Sequence, residues 1–465
     1  MIPYFPKTIS DKGLAFYIVS LLAVSIAFFT YAMSFMWMLL GIVEVSLFFV
    51  LSSKYTKEWQ TRSVKDYERT LFWTAVLLRV VWVTFSYFFY KAKTGQPFEF
   101  DAADSLMYHG TSAWLAGEDW NVIWDYFKSM NGVSDTGYIA YLTVVYKIIG
   151  PNIYITRIIK CLLGAFSCVL LYRLAKRSIS ESAGRMVGVF AMLMPNLIIY
   201  CGLHLKETEM LFIIVAFLER ADFVLRSKKF TFFGILVPIL LAASMFTLRT
   251  VLGAAAIFSF VTAVVFSPSS VMRKGRRWVI IGWVILAIAV LAGGVVVNEV
   301  EKYWNDKETN QVEKRADQTD KGNIWAKYAT GTVMAPMVFV LPFSTMVDTG
   351  QENQMMLHGG NYVRNFMGVF VLIALFIVLF KKKNWRNFAL IGSFVVGYLG
   401  VVSLSGYANS ERFLLPGLPC LMIMWAYGIS ELTAKSYRFV KYWYVVVIVM
   451  EFAWAYFKLG SRGWV

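Results

Sequence analysis

The sequence is poor in the residues that soluble enzymes use for metal binding and cross-linking. Among 465 residues there are three histidines and four cysteines, and only 16% are Asp, Glu, Lys or Arg, whereas soluble domains carry about 25%. The cysteines lie in or beside apolar runs, at a spacing that suits neither a zinc site nor a disulfide framework. The composition therefore excludes a disulfide-stapled or zinc-knuckle protein and points away from a soluble fold.

Long apolar runs dominate the chain instead, since 58% of its residues are hydrophobic. A spanning helix needs about 20 mostly apolar residues, so the sequence predicts about twelve to thirteen transmembrane helices. The predicted runs are 14–32, 34–51, 71–90, 139–149 merging into 153–172, 184–201, 208–225, 230–248, 250–267, 278–297, 362–380, 387–403, 413–430 and 441–457. The block 139–172 is counted as one span, with 139–149 expected to be a helix partly at the interface. No small-residue cleavage site follows the first run, which is expected to be an uncleaved span. The predicted fold is an all-α polytopic membrane protein with a single membrane domain, 1–465.

The basic residues are distributed as a topology signal. The net charge of +16 is concentrated in alternate short loops, the pattern of cytoplasmic loops. The basic loops are 54–69, 173–185, 226–229, 273–277, 381–386 and 435–441. This arrangement argues against a nucleic-acid partner and places the N-terminus inside. The segments 92–137 and 298–361 then become two outer loops.

The two outer loops are predicted to lie along the membrane surface rather than in bulk water. They carry five tryptophans, a residue enriched at membrane interfaces. These are Trp114, Trp120, Trp124, Trp304 and Trp325. Short interfacial helices are expected in both loops, and the polar run 305–323 is expected to be a mobile lid. Because Pro336 and Pro342 break the run 333–347, segment 324–347 is expected to be interfacial or re-entrant instead of spanning.

Ionisable residues cluster at the predicted outer face, where each requires a partner, water or a function. The first outer loop contributes carboxylates, and the outer ends of the spans contribute cations. The main members are Asp101, Asp104, Glu118, Asp119, Lys206, Glu207, Arg249, Arg364, Glu411 and Arg412. A carboxylate opposite cations suits transfer from a phosphate-activated donor, since one group accepts a proton while the others bind phosphate. No nucleotide-binding motif is present, so the donor would have to arrive on a lipid carrier.

At this point the chain resembles the GT-C polyprenyl-phosphate-dependent glycosyltransferases, such as the protein mannosyltransferase-like and aminoarabinose transferase-like enzymes. The segment that carries the resemblance is DSLMYHGTSAWLAGEDW, with Asp104, Tyr108, Ala113 and Gly117 in the family pattern. Further similar elements follow in family order, between about residues 71 and 430. They are Gly150–Asn152, Arg157, Pro195, Lys206–Glu207, Arg412, Phe413, Pro416 and Pro419. Two departures stand out: Ser105 replaces the second member of an acidic pair, and two spans precede the one that is usually first.

The resemblance implies transfer of a sugar from a polyprenyl-phosphate carrier to a lipid-linked, glycan or protein acceptor. Asp104 would be the catalytic base, with Asp101 beside it. Lys206, Arg249 and Arg412 would bind the donor phosphate, while Glu207, Tyr108 and His204 would serve the acceptor or supply a second carboxylate. A divalent cation such as Mg²⁺ or Mn²⁺ would be held by Asp101, Asp104 and Glu207. The expected location is the bacterial cytoplasmic membrane, with the active site on its extracytoplasmic face.

Two other functions fit the same features. A transporter or a lipid-linked oligosaccharide flippase also has many spans and buried charges, although transporters often show repeated halves and this sequence has no clear repeat. A polymerase or ligase that moves an oligosaccharide from a diphosphate carrier is the third interpretation.

Overall fold

Helices form nearly all of the secondary structure in the described residues. The computed structural model describes residues 2–130, 132–227, 232–266, 335–403 and 410–464, with 281, 282 and 285 between them. The helices are α1 Lys7–Ala27, α2 Phe35–Glu58, α3 Val64–Thr94, α4 Ala103–Gly117, α5 Trp120–Ser129, α6 Thr136–Ile149, α7 Ile153–Ser178, α8 Glu181–Leu193, α9 Pro195–Ile199, α10 Glu207–Arg226, α11 Phe232–Leu248, α12 Thr250–Phe266, α13 Glu352–Met356, α14 His358–Phe376, α15 Ala389–Ser403, α16 Glu411–Leu414, α17 Leu418–Ser430 and α18 Ala434–Gly460.

Local sequence signals explain where several of these helices begin and end. The Ser63 side chain accepts a hydrogen bond from the Asp66 amide at the start of α3, and Asn152 caps α7 in the same way. Such caps satisfy amides that have no partner within the helix. Gly95 ends α3 at φ 77°, a left-handed conformation that glycine adopts without a Cβ penalty.

The helices confirm an all-α polytopic membrane protein. Within the described ranges, eight helices are long and apolar enough to cross a bilayer, and the count rises to nine if the bent pair α8–α9 is one span. Three shorter apolar helices, α6, α11 and α12, add to them. The bend between α8 and α9 is 54° and falls at Pro195, where the missing amide interrupts the helical ladder.

Several predicted segments can be compared with the structure. The block 139–172 forms two helices, α6 and α7, as expected for a separate helix at 139–149, and Gly150 turns the chain between them at φ 76°. The run 208–225 forms α10, whose Glu219 and Asp222 pair with Arg177 at 2.8 and 3.0 Å. The predicted span 278–297 falls largely outside the described residues, and the predicted lid 305–323 and Trp304 and Trp325 lie wholly outside them.

The part of segment 324–347 that is described is an extended strap rather than a helix. After a short turn at Ala335–Met337, the chain runs buried along α14. The Asn365 side chain donates to the carbonyls of Val340 and Pro342 at 2.6 and 3.0 Å and accepts from the Ser344 amide at 3.1 Å. These bonds satisfy strap backbone groups that would otherwise be buried without partners.

The described basic loops gather at one end of the bundle, which we call the basic end. Four pairwise contacts between segments far apart in the chain lie at this end. They are Phe5 N to Thr56 Oγ1 (3.0 Å), Arg173 to Glu68 (2.6 Å), Arg226 to Asn387 O (3.1 Å) and Lys382 to Glu431 (2.8 Å). The opposite end, which we call the site end, holds α4, α5 and α13. It also holds the C-terminus, since Trp464 stacks on Tyr31 at 5.4 Å between ring centroids.

This arrangement predicts opposite labelling of the two ends. Cysteines introduced as Asp119→Cys and Lys382→Cys should react with an impermeant maleimide from opposite faces of intact membranes, because α4–α5 and the loop after α14 lie at opposite ends. The four native cysteines are buried and should give little background. Labelling of both positions from one side would contradict the arrangement.

Candidate functional site

A cavity of about 520 Å³ opens at the site end of the bundle. Its wall is built from the loop before α4, the loop after α9, the helices α13 and α14, the start of α16 and the end of α18. Its charged lining residues are Glu99, Asp101, Asp104, Glu411, Arg412 and Lys458. Elements far apart in sequence therefore bring both signs of charge to one concave surface, a typical arrangement for a ligand site.

Arg412 is the centre of the charge arrangement. Its Nη1 contacts Asp104 Oδ2 and its Nε contacts Glu207 Oε1. The Asp104 side chain is 49% exposed, whereas the Glu207 side chain is completely buried. A planar guanidinium can serve two carboxylates at once through separate N–H donors. Asp104 thus faces the cavity, and Glu207 anchors Arg412 from behind.

Helix placement favours both carboxylates. Asp104 lies in the first turn of α4 and Glu207 in the first turn of α10. Negative charge is stabilised near a helix N-terminus by the unpaired amides and the helix dipole. Arg412 lies in the short helix α16, just before the turn at Leu415–Gly417.

Arg249 supports this cluster without lining the cavity. Its Nη2 lies 3.7 Å from Glu207 Oε1, its Nη1 donates to the Tyr398 hydroxyl at 3.1 Å, and its guanidinium lies 4.3 Å from the centre of the Phe413 ring. Arg249 therefore neutralises Glu207 and also fixes the residue that follows Arg412.

Lys206, like Arg249, lies near the cavity without lining it. Its Nζ contacts Asp135 Oδ1 and donates to the Leu248 carbonyl at 2.6 Å, and the Tyr108 hydroxyl donates to the same Asp135 oxygen at 2.9 Å. Burial, followed by the neighbouring Arg249 charge, lowers the pKa of Lys206 to about 7. The sequence analysis did not single out Asp135, whose carboxylate contacts both Lys206 and Tyr108. Asp135 precedes α6 and has a left-handed backbone conformation, with φ 72°.

His204 belongs to a separate polar layer beneath the cavity. Its Nε2 lies 3.1 Å from the Tyr146 hydroxyl, which lies 2.9 Å from His109 Nδ1. The His204 amide donates to Glu99 Oε2 at 3.3 Å, and Arg157 lies 3.8 Å from that oxygen. Burial lowers the pKa of His204 well below its usual value, with the Lys160 charge as the next cause. His204 is thus a neutral, buried side chain whose partners are protein groups.

Glu411 is a second carboxylate in the cavity wall. Its Oε1 accepts from the Asn196 side chain at 2.7 Å, and its Oε2 lies 3.6 Å from the buried Arg364. The bend at Pro195 places Asn196 at this point. Asn196 also donates to Asn361 Oδ1 at 3.2 Å. The sequence analysis placed Arg364 and Glu411 at the outer ends of spans but did not pair them with each other, and the amides that complete the network carry no sequence signal.

Lys458 is the cavity cation that the sequence analysis missed. It lies in the last turn of α18, with its Nζ 4.9 Å from the centre of the Trp454 ring. Both side chains line the cavity. The predicted last span, 441–457, ends one residue before Lys458, so hydropathy gives no reason to place a cation there in the same cavity as Arg412.

The carboxylates do not fit a divalent cation in this arrangement. Among the described residues, no group of three or more His, Cys, Asp or Glu side chains could hold a metal ion. Asp101 lines the cavity and has a left-handed backbone conformation, with φ 50°. The Arg412 guanidinium already occupies the space between Asp104 and Glu207. The chemistry proposed below therefore uses side chains alone.

Comparison with known proteins gives no family or relative from which a function could be taken, so the geometry of the site is the basis for assigning one. No family model matches the chain, and no curated protein matches it.

The two carboxylates that share Arg412 should differ in their effect on stability. Glu207→Gln should lower the free energy of unfolding by about 3–5 kcal/mol, because it leaves buried cations uncompensated. Asp104→Asn should cost no more than about 1 kcal/mol, since its ion pair is half-exposed. Thermal unfolding of the detergent-purified variants would measure both effects. Equal losses would contradict the assignment of Glu207 as the buried anchor.

Proposed function

We propose that this protein is a GT-C-type glycosyltransferase that moves a sugar from a polyprenyl-phosphate carrier to an acceptor hydroxyl. The observation that supports it most is the pairing of a solvent-accessible carboxylate, Asp104, with the cation Arg412 in a cavity at the end of a membrane bundle. A second cation, Lys458, lines the same cavity. Proton acceptance and phosphate binding are the two tasks that such a transfer requires.

Asp104 is assigned as the general base. The acceptor oxygen forms a bond to the anomeric carbon, and its proton passes to the Asp104 carboxylate. The bond between that carbon and the phosphate oxygen breaks, and the leaving polyprenyl phosphate keeps the electron pair. Asp101, exposed two residues before α4, is the nearest alternative base in the sequence.

Arg412 and Lys458 are assigned to the leaving phosphate, whose negative charge grows as the sugar departs. A positively charged N–H donor aimed at that charge lowers the barrier because it need not reorganise during the reaction. Arg249 and Lys206, which the sequence analysis placed on the phosphate, are assigned to the layer behind it. There they hold Glu207, Phe413 and Asp135, and so set the position of Arg412 and Tyr108.

The donor is expected to reach the cavity from the bilayer. The cavity lies at the end opposite the basic loops, which by the positive-inside rule are cytoplasmic. The site would then face the extracytoplasmic side of a bacterial cytoplasmic membrane. The acceptor is a lipid-linked, glycan or protein hydroxyl, with no nucleic acid involved.

A transporter or flippase is the second candidate, and one observation favours it. The pair α8–α9 is a helix broken at Pro195 beside the cavity, and discontinuous helices are common at transporter substrate sites. The two functions differ in the covalent product. Movement of an intact lipid-linked sugar across vesicles, with no transfer to an acceptor, would favour the transporter.

Replacement of the proposed base should slow turnover strongly while the donor still binds. Asp104→Asn keeps the size of the side chain but cannot accept the proton, so its rate should fall by about 100- to 10,000-fold. Turnover and donor binding would be measured side by side on purified Asp104→Asn and Asp101→Asn. Normal turnover in Asp104→Asn would refute the assignment, and a loss confined to Asp101→Asn would move the base there.

Removal of the cavity cation on α18 should weaken use of the donor. Lys458→Met should lower kcat/KM for the donor by about 10- to 150-fold, because a hydrogen bond to a charged group contributes about 1.5–3 kcal/mol. Lys441→Met is the matched control, since Lys441 is an exposed residue of the same helix at the basic end. Equal kinetics for the two variants would remove Lys458 from the phosphate site.

A further inference from the structure

A second, apolar groove lies on the side of the bundle, between the start of α2 and the end of α3. Its volume is about 230 Å³. The α2 side contributes Met36 and Val43 among others, and the α3 side contributes Trp82, Phe85 and Phe89. Nearly all of its accessible surface is apolar, so its chemistry suits a hydrocarbon ligand.

The groove opens towards the lipid side of the bundle. Leu39, Val43 and Phe85 on its rim are 49%, 44% and 54% exposed. Val43 lies about 12 Å along the helix from Phe35, at a rise of 1.5 Å per residue. Phe35 begins α2 at the site end, so the groove occupies the half of the bilayer next to the polar cavity.

Only a thin wall separates the groove from the polar cavity. Met356 lines both spaces, and the Tyr90 hydroxyl contacts its sulfur at 3.0 Å. Phe100 lines the polar cavity and packs edge-on against Trp37 and Tyr90, with ring centroids 6.1 and 5.6 Å apart. Methionine is an unbranched, flexible side chain that adapts to its neighbours. The boundary is therefore one side chain thick and deformable.

We propose that this groove binds the first isoprene units of the donor's polyprenyl chain, while its phosphate lies in the polar cavity. The inference rests on the proposed function and adds the location of the lipid tail. An amphipathic ligand matches two adjoining spaces, one apolar and open to lipid, the other carrying Arg412 and Lys458. The groove depends on α2, one of the two spans that precede the first span of the family pattern, and is thus a feature of this chain.

A filled groove should discriminate between ligands with and without a tail. Val43→Trp should weaken binding of a C55 polyprenyl phosphate in nanodiscs by at least about tenfold, since each methylene lost from an apolar site costs about fourfold in affinity. Val50→Trp is the matched control, because Val50 is similarly exposed (49%) and lies about two turns further along α2. Inorganic phosphate, which has no tail, should bind both variants equally.

Photocrosslinking of the wild-type protein tests the same inference without a variant. A polyprenyl phosphate carrying a diazirine in its second isoprene unit should label peptides that contain 36–43 or 82–90. Labelling elsewhere, together with equal affinity of Val43→Trp and Val50→Trp, would overturn the groove while a base-dependent transferase activity still stood. A wild-type protein that binds no polyprenyl phosphate would overturn both the groove and the proposed function.

Discussion

The site end of this protein depends on one guanidinium shared between two carboxylates of different exposure. Arg412 joins the first turn of α4 to the first turn of α10 through Asp104 and Glu207. Separated charges in a low-dielectric bundle are costly, whereas paired charges satisfy one another. Arg249 and Lys206 extend the pairing to Phe413 and Asp135, so the helices that form the cavity wall are held in register by charge rather than by apolar contact alone.

This charge balance has a consequence for ligand binding. Behind and beside the cavity, Arg249 and Arg412 face Asp104 and Glu207, while Lys206, whose pKa burial lowers to about 7, contacts Asp135. In the proposed reaction, a phosphate that enters this cluster competes with Asp104 for Arg412, because Asp104 is the exposed partner and Glu207 the buried one. Binding of the donor would then release the Asp104 carboxylate at the moment when an acceptor proton needs a base. Lys458, which lines the same cavity, would supply the additional positive charge that such an anion requires.

The sequence predicted the fold class well because hydropathy and basic loops are local signals. The helix at 139–149 and the turn at Gly150–Asn152 were expected from the sequence, and the chain does divide there into α6 and α7. The partners of the charges were harder to predict. Lys206 and Glu207 are consecutive and looked like one unit, yet Lys206 turns to Asp135 and Glu207 to Arg412, since neighbouring residues at a helix start point in different directions. Asp135, Asn196 and Lys458 lay in segments whose positions are set only by tertiary packing.

The boundary between the two binding spaces follows from the same physical chemistry. A lipid phosphate cannot bring its charged head through an apolar wall without a partner, nor can its tail remain in a polar cavity without exposing hydrocarbon to water. A site for such a ligand must therefore place cations within a few ångströms of a lipid-accessible apolar surface. Here Met356, the last residue of α13, lines both spaces, and the Tyr90 hydroxyl contacts its sulfur. The donor would be recognised by the junction of the two spaces, which no single helix carries and no local sequence pattern encodes.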